Sequence, residues 1–408
     1  MTCGAATSAT TAARVAKCSG DAAVTRRRRH GTARPRAQRG ASRVGERFTV
    51  EIGPVAHGGH FVARAEGRVV FVRHALPGET VEVVVTEGGD DDPFWRADAV
   101  AVLQPSDDRV PAPCPYAGPD ACGGCDFQHV ALPAQRELKA SVVREQLSRL
   151  AGLDIHVTVE AVPGDDHGLH WRTRQRYVEL PDGGRGMRKH RSHDVVRVDE
   201  CLLEAVPPVV EEGAQRASRN PHQVRGRSFS VAEGGFWQVH PGAPTVLVDA
   251  VLDFLEPVLG ESVLDLYAGV GLFAAFLGDA VGPDARVVAV EGNHAACRHA
   301  RRNLGRSAEI ATGPVDRVLA SAYDEPFDLV VLDPPREGAR RSVVEQVVDR
   351  APRAVAYVAC DPAALARDVA IFAEHGYALA RLRAFDLFPM TGHVECVALL
   401  EKDGSDLR

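Results

Sequence analysis

Two residues able to take part in chemistry follow apolar runs near the end of the chain. Asp333 comes directly after the run at 329–332, and Cys360 follows the run at 355–359. Each run is long enough for a buried parallel strand. Because the carboxyl ends of parallel strands border the ligand crevice of an open α/β sheet, we expect the carboxylate and the thiol at one rim. A thiol in that position can attack a substrate as a nucleophile.

A glycine turn earlier in the sequence predicts the ligand side of the same crevice. A strand ending at Tyr267 leads into Gly269 and Gly271, which permit a tight turn and a close backbone approach to a ligand. The next strand ends at Glu291, where a carboxylate can accept hydrogen bonds from ribose hydroxyls. The pattern fits both a dinucleotide-dependent dehydrogenase and an S-adenosylmethionine-dependent methyltransferase. A dehydrogenase has no use for the Asp-Pro-Pro-Arg sequence that begins at Asp333, which favours the methyl donor.

A compact group of thiols lies in a Pro-rich segment closer to the N-terminus. Cys114, Cys122 and Cys125 supply three ligands, and both zinc and a cubane iron–sulfur cluster need a fourth. Cys201 is a remote candidate for that fourth ligand, and His129 competes with it. Structural zinc more often uses two local pairs, so three local ligands plus a distant one favour iron–sulfur. Zinc and no metal at all remain alternatives.

A local basic stretch is the candidate surface for a nucleic acid. Residues 170–197 are rich in Lys and Arg, and Arg172, Arg174 and Arg176 alternate within them. If this segment is a strand, its period of two places the three guanidinium groups on one face, where they could contact phosphates. The alternative is a solvated outer strand face without a ligand.

The composition is that of a large chain in a reducing compartment. It has 408 residues, enough for two or three domains, a net charge of −7 and nine unevenly spaced Cys. No apolar run approaches the ~18 residues of a membrane span, and no secretory signal is visible. We therefore expect a cytoplasmic protein with no membrane partner.

The first 45 residues differ from the rest of the chain. They hold ten Lys and Arg against one Asp and contain no aromatic residue. Too few large apolar groups are present to offset the entropy of ordering, so we expect a disordered basic tail over 1–45. A start codon placed too early, a transit peptide and an arm that touches nucleic acid are the alternatives.

The remainder divides into three parts. Residues 46–104 contain five short strands between Gly and Pro turns, typical of a small barrel of the oligonucleotide-binding type. Residues 105–235 form a β-rich central part with the thiols and a helix over 132–150, which we expect to pack on the last domain. In residues 236–402 helices alternate with apolar strands, which indicates a doubly wound, Rossmann-like α/β domain.

Taken together, these motifs resemble the RNA 5-methyluridine methyltransferases across residues 45–401. The barrel is similar to a TRAM domain through Ala-His-Gly-Gly at 56–59 and Ala-Leu-Pro-Gly-Glu at 75–79. The Cys-Gly-Gly-Cys sequence at 122–125 resembles the family's iron–sulfur motif. The family's methyltransferase signatures are matched in order at 236–239, 333–336, 360–362 and 389–395.

The resemblance implies an enzyme that transfers a methyl group from S-adenosylmethionine to C5 of a uridine in structured RNA, with 23S ribosomal RNA favoured slightly over transfer RNA. Cys360 would add to C6 of the uracil, and Glu395 would remove the C5 proton. We expect a monomer. The other roles implied are donor binding by Gln238, Tyr267, Gly269, Gly271, Glu291 and Asp333, RNA contacts by Arg336, Arg172, Arg174 and Arg176, and a four-iron four-sulfur cluster on Cys114, Cys122, Cys125 and Cys201.

Some positions depart from the family's pattern. His240 stands where the family usually has Asn, and Leu272 and Pro314 replace polar or acidic residues. Asp361 replaces the usual Asn after the cysteine, which leaves the thiol in place. These departures affect individual donor contacts rather than the reaction. A cytosine C5 methyltransferase and a non-catalytic RNA-binding protein are the alternative functions.

The acidity of Cys360 is expected to matter less than its position. Full ionisation of a thiol with a pKa of ~8.5 costs about 2 kcal/mol near pH 7. Fixing the reacting groups in one geometry contributes about 7–11 kcal/mol. Asp361, beside the thiol, should oppose ionisation, and Asp333 should stay charged.

Overall fold

The computed structural model describes Met1 and residues 39–205 and 222–402. Residues 2–38, most of the predicted tail, lie outside the described residues. The last part of that tail is ordered on the barrel. The backbone N–H of Arg43 donates to the carbonyl of Gly88 at 3.1 Å, and the Arg43 guanidinium lies over the ring of Trp95. Among the described residues, every helix is too short or too polar to traverse a bilayer.

The N-terminal barrel has all five predicted strands and one more. Its sheet has the order β1-β5-β6-β4-β3-β2 and closes because the chain bends after β1. The N–H of Gly53 donates to the carbonyl of Val62 at 2.7 Å, so the segment after the bend pairs with β3 while β1 pairs with β5. The strands are β1 (Arg47–Glu51), β2 (Val55–Ala56), β3 (His60–Ala65), β4 (Arg68–Arg73), β5 (Thr80–Glu87) and β6 (Phe94–Gln104).

The central part is irregular, with one long helix. Helix α1 (Leu132–Ala151) begins with a Pro in its first turn and ends at Gly152, whose left-handed backbone makes the C-cap. Short strands follow, and residues 206–221 between two of them are not described. They are β7 (Val159–Glu160), β8 (Val178–Glu179), β9 (Arg185–Arg188), β10 (Val195–Arg197), β11 (His222–Val224) and β12 (Arg227–Phe229).

The last domain is built on an eight-stranded sheet of order β15-β14-β13-β16-β17-β19-β18-β7. Seven of its strands run in the same direction, and β19 alone in this sheet runs antiparallel to both of its neighbours. The strands are β13 (Val263–Leu266), β14 (Val287–Glu291), β15 (Glu309–Thr312), β16 (Leu329–Leu332), β17 (Ala354–Ala359), β18 (Tyr377–Phe385) and β19 (Glu395–Lys402). The helices are α2 (Ala243–Leu255), α3 (Leu272–Val281), α4 (His294–Leu304), α5 (Val315–Leu319), α6 (Arg341–Asp349) and α7 (Pro362–Glu374).

Alternation along the strands gives the sheet two apolar faces. Helices α2 and α3 cover the face that contains Val331 and Val397, and α6 and α7 cover the face that contains Val330 and Ala398. Helix α1 joins the second layer through Val143, as the sequence predicted for this helix. The result is the three-layer arrangement of a doubly wound α/β domain.

The connections also fix where a ligand can bind. From β13 the chain runs outward to β14 and β15, and it then returns to the other side of β13 as β16 and β17. The gap beyond β13 and β16 is therefore the topological switch point of the sheet, where open α/β domains hold their ligands.

Candidate active site

The predicted nucleophile and base lie at the adjoining ends of two neighbouring strands. The last paired residues of β17 and β19 are Ala359 and Cys396. The next residues along this antiparallel ladder are Cys360 and Glu395, and residues that oppose each other point to the same face, with Cβ atoms about 5 Å apart. Because β19 runs antiparallel to β17, its first residue, Glu395, lies near Cys360, which directly follows the end of β17.

The surroundings of Cys360 hold its thiol in the protonated form. Burial is the largest cause and raises the pKa of Cys360 to about 12. The charges of Glu395 and Asp333 raise this pKa further, and Asp361 adds to them, as the sequence predicted. The guanidinium of Arg336 acts in the opposite direction.

Glu395 is buried and also favours its protonated form. Only 3% of the residue is exposed, and this burial raises its pKa well above the ordinary value of a carboxyl. Asp333 raises the pKa further and Arg336 lowers it. A carboxylate with these properties is a strong base once it has lost its proton.

Two aspartates behind the crevice are also protonated more readily than usual. Burial and the charge of Glu291 raise the pKa of Asp333 to about 7, so Asp333 does not simply stay charged, as the sequence had suggested. Asp265 on β13 is fully buried, and burial raises its pKa to about 8. One of its oxygens accepts the N–H of Ala274 at 2.9 Å, and the other has no hydrogen-bond partner among the described residues.

The glycine turn lies at the switch point. Tyr267, Gly269 and Gly271 all have left-handed backbone, and a Cβ at Gly271 would be 2.6 Å from a methyl group of Leu304. A Cβ added at Gly269 would meet no atom within 4 Å, so the crevice is open there. Glu291 accepts the N–H of Gly269 at 2.9 Å, which fixes the turn.

The segment around Gln238, the predicted donor contact, is held by the residues on either side of it. Gln238 is half-buried between Trp237, which packs on the core, and the buried His240. His240 stacks on Trp171 and has a ring nitrogen 3.2 Å from a carboxylate oxygen of Asp165. The histidine that replaces the usual Asn therefore anchors this segment.

The prediction of an arginine strand over 172–176 is wrong. No ladder forms there, because backbone groups of the segment bond to distant loops. The N–H of Arg172 donates to Leu203, and that of Thr173 donates to Val239. Arg174 uses its guanidinium to hold the carbonyl of Gly235 at 2.5 Å, while Arg176 is exposed.

The structure brings the four predicted thiols to one cavity. Cys114, Cys122, Cys125 and Cys201 all line it, together with apolar side chains. His129, the competing ligand, instead places its ring nitrogen 3.1 Å from the carbonyl of Ala75. Within the described ranges, no three His, Cys, Asp or Glu side chains are arranged to hold a single metal ion.

Nitrogen donors surround the sulfur atoms of this cavity. The side-chain amide of Gln175 donates to Cys201 at 3.0 Å, and that of Gln128 donates to Cys125 at 3.4 Å. The N–H of Gly124 donates to Cys122 at 3.4 Å. Such bonds stabilise thiolates, so the donor set fits an iron–sulfur cluster.

Two buried polar residues of α1 hold the loop before β19. Gln135 donates to the carbonyls of Phe127 and Val130 and accepts the N–H of Met390 at 2.8 Å. Lys139 pairs with Asp386, with 1% and 2% of their side chains exposed. The sequence does indicate that Gln135 and Lys139 are buried. They continue the four-residue spacing of the buried Val143 and Leu147 on the same face of the helix.

The rim of the site carries Arg336 and His393. Their side-chain nitrogens lie 3.4 Å apart, and the His393 ring contacts Phe388 edge-on. Burial lowers the pKa of His393 to about 4, so this side chain is neutral near pH 7. Arg336 is the cation that lowers the pKa of both the Cys360 thiol and the Glu395 carboxyl group.

These features define a doubly wound α/β domain with a thiol and a carboxyl group beside the crevice at its switch point. The chain matches the TRAM domain family over residues 41–90 and the methyltransferase small domain over 245–357. It matches the tRNA (uracil-5-)-methyltransferase family over residues 314–403, which include both Cys360 and Glu395.

Relatives extend the match over most of the chain. An RNA methyltransferase of Streptomyces avermitilis is 45% identical, covering 88% of this chain and 99% of its own length. The 23S rRNA (uracil(1939)-C(5))-methyltransferase RlmD of Shewanella amazonensis is 30% identical, covering 88% and 97%. The chain therefore belongs to the RNA uracil-C5 methyltransferase family and is an enzyme of that class.

A solved structure has the same fold. It is the tRNA (uracil-54, C5)-methyltransferase of Pyrococcus abyssi in complex with S-adenosyl-L-homocysteine, with a TM-score of 0.62. The two sequences are 22% identical, and the match covers 86% of this chain and 99% of that chain. The likeness supports the architecture of barrel, central part and methyltransferase domain.

Proposed function

We propose that the enzyme methylates C5 of a uridine with S-adenosylmethionine as donor, through a transient bond between Cys360 and C6 of the uracil. The observation that supports this most strongly is that the β17–β19 ladder ends at Ala359 and Cys396, so that Cys360 and Glu395 are the next residue on each side and their charges interact. The reaction needs a nucleophile and a base on the same pyrimidine ring, and this register supplies both.

The chemistry explains each residue type. C5 of uracil is a poor nucleophile, and addition of the Cys360 thiolate to C6 moves an electron pair into an enolate that makes C5 nucleophilic. The donor, when bound, supplies a methyl group on a positively charged sulfur. After C5 has taken the methyl group, Glu395 removes the C5 proton, the electron pair re-forms the C5–C6 double bond, and the thiolate leaves.

The donor would lie at the switch point. The open space at Gly269 lets the backbone approach a nucleoside, and Glu291 lies at the end of the neighbouring strand, where a ribose can be held. Gln238, Tyr267 and Asp333 would complete the walls. To bind the ribose, the Glu291 carboxylate would either give up the hydrogen bond from the N–H of Gly269 or accept from this N–H and a ribose hydroxyl together.

The target uridine must leave its stack, because C5 and C6 have to face the thiol and the donor together. Opening an unpaired loop costs less than opening a duplex, which favours structured RNA with single-stranded targets. Arg336 would contact the RNA at the rim. Of the three alternating arginines, Arg176 remains free to meet a phosphate, whereas Arg174 acts through Gly235.

Among RNA substrates, we favour 23S ribosomal RNA over transfer RNA. The RlmD relatives that act on 23S rRNA by name align over nearly their whole length and over 88% of this chain. The similarity to the tRNA enzyme is lower in sequence and rests on fold. Mapping of 5-methyluridine in the RNA would identify the target position.

The four thiols would hold a four-iron four-sulfur cluster. Each iron would take one of the thiolates of Cys114, Cys122, Cys125 and Cys201, and the amide donors of the cavity would stabilise their negative charge. The cluster would fix the central part around its cavity. Anaerobic purification should give a brown protein with about four irons per chain, whereas stoichiometric zinc without iron would refute the assignment.

Nucleoside analysis tests the proposed reaction. We expect 23S rRNA from cells that lack the gene to accept labelled methyl groups from the purified enzyme and to yield 5-methyluridine. The label in 5-methylcytidine would identify a cytosine methyltransferase instead. Label in transfer RNA but not in 23S rRNA would overturn the choice of RNA and leave the chemistry intact.

A further inference from the structure

A turn of the barrel reaches the loop that carries the nucleophile. A ring nitrogen of His57, between β2 and β3, lies 3.2 Å from a carboxylate oxygen of Asp361. The other oxygen of Asp361 accepts the N–H of Ala364 at 2.9 Å and so caps α7. Asp361 is the residue after Cys360, and His57 therefore contacts the catalytic loop from a different domain.

The same turn touches the loop that leads to Glu395. Gly59 has left-handed backbone, and a Cβ placed on Gly392 would lie 2.7 Å from the Cα of Gly59. The two backbones are thus in direct contact without side chains between them. The barrel turn of His57–Gly59 lies against both of the loops that carry the catalytic pair.

We infer that His57 is a positioning residue of the methyl transfer: it holds Asp361 and offsets its negative charge, which fixes the Cys360 loop and favours the thiolate. This inference rests on the proposed function, in which Cys360 is the nucleophile. It also accounts for the aspartate at position 361, since an acidic residue beside a nucleophilic thiol is unfavourable unless a cation faces it.

The charges around His57 support this role. Asp361 raises the pKa of His57, mainly through their hydrogen bond, and His57 in turn helps to lower the pKa of Asp361. Glu145 on α1 adds to the first effect, and Arg367 on α7 opposes it. The ion pair is present while His57 is protonated, and it is lost as the pH rises through the raised pKa of His57.

Alkylation of Cys360 tests the inference without the methyl transfer reaction. The intact protein is treated with iodoacetamide, and the modification of Cys360 is quantified by mass spectrometry. At pH 6.5 we expect His57→Ala to slow alkylation of Cys360 about tenfold, the equivalent of one pKa unit. The control is His156→Ala, which changes an exposed histidine of the central part.

One outcome of this experiment and two further variants separate positioning from a structural role. A merely loosened loop would expose the thiol, so faster or unchanged alkylation in His57→Ala contradicts the inference. His57→Gln keeps a donor without the charge and should restore kcat above pH 8 but not at pH 6.5. In an Asp361→Asn background, the same His57 substitutions should have no effect on alkylation.

Steady-state kinetics complete the test. We expect His57→Ala to lower kcat about tenfold, while the affinity for RNA measured by filter binding stays the same. A loss of RNA affinity with unchanged kcat would make His57 an RNA contact and overturn the inference. If Cys360→Ser still methylates RNA normally, the proposed function fails, whereas the alkylation result stands by itself.

Discussion

Cys360, the nucleophile of the proposed reaction, has a protonated thiol as its resting state. Its pKa of about 12 means that forming the thiolate at pH 7 costs roughly 7 kcal/mol, at about 1.36 kcal/mol per unit. The sequence had suggested a cost of about 2 kcal/mol, small beside the roughly 7–11 kcal/mol gained from positioning. With the raised pKa the two quantities are of similar size, so we expect removal of the thiol proton to matter as much as position.

The pH dependence follows from these shifts. Because the pKa values of Cys360 and Glu395 are raised, the reactive ionised forms are scarce in acid, and we expect kcat/KM to rise from pH 6 to pH 9. Arg336→Gln should move this rise to higher pH, since Arg336 lowers both pKa values. Arg306→Gln, at an exposed site, is the control, and an equal profile for both variants would contradict the assignment.

Glu395 acts late in the proposed sequence of steps, so its removal should trap an intermediate. We expect Glu395→Gln to methylate uridine once, to release product at least about 100-fold more slowly, and to accumulate a protein–RNA complex that survives denaturation. The complex is measured by gel electrophoresis with labelled RNA. Rapid turnover without such a complex would mean that another group removes the proton.

At the level of strands and helices, the direction of β19 matters most. A sheet that continued parallel would place the start of its next strand at the opposite edge, away from Cys360. Because β19 runs antiparallel, its first residue Glu395 lies at the same edge as the end of β17. The fold thus needs no long loop to bring the base to the nucleophile.

Asp265 accepts a hydrogen bond just after the glycine turn, but its burial makes the stability of the fold depend on pH. Its native pKa of about 8 lies above the ordinary 3.8, so the protonated form is favoured in the fold. The contribution of protonated Asp265 to the free energy of unfolding is fully present below about pH 4. It is lost progressively as the pH rises to about 8. We expect Asp265→Asn, which still accepts the N–H of Ala274, to be more stable than the parent at pH 8.5 by about 2–4 kcal/mol.

Urea denaturation at two pH values measures this effect. The difference between Asp265→Asn and the parent should shrink between pH 8.5 and pH 5. Asp324→Asn, away from the glycine turn, should show no such change. A difference that stays constant with pH would mean that Asp265 is charged in the folded protein.

The elements with local signals could be predicted from the sequence, and those that need distant partners could not. Strands β3 and β13 and helix α1 follow from apolar spacing and from Gly and Pro at their ends. The segment around Arg174 has the period of a strand, but a strand also needs a neighbour to pair with, and distant loops take its backbone groups instead. The contact of His57 with Asp361 likewise joins residues far apart in sequence.

In the whole molecule, the barrel, the thiol segment and the catalytic domain meet at one loop. The carbonyl of Met390 accepts the N–H groups of Asp126 and Phe127, and Asp126 accepts the N–H of Gly392 at 3.0 Å. The thiols therefore lie in a segment that is bonded directly to the loop before Glu395. A change in that segment should reach the active site.

Gln135 connects the segment after the thiols to the loop before Glu395 through its hydrogen bonds. Gln135→Met would remove the Gln135 donor from the buried carbonyl of Val130 and the acceptor from the N–H of Met390, which we expect to cost about 2–4 kcal/mol and to lower kcat. Thermal unfolding and methyl transfer are the measurements. Gln104→Met, at an exposed strand end, is the control, and a stable, fully active Gln135→Met enzyme would mean that the junction does not support catalysis.

The proposed reaction depends above all on a bond between Cys360 and the uracil ring. RNA containing 5-fluorouridine cannot release the C5 substituent as a proton, so the bond should persist once the methyl group has been transferred. We expect the parent enzyme with S-adenosylmethionine to form a denaturation-resistant complex joined through Cys360, and Cys360→Ser to form none and to make no 5-methyluridine. Methylation at the normal rate by Cys360→Ser, or a complex joined through another residue, would contradict the mechanism.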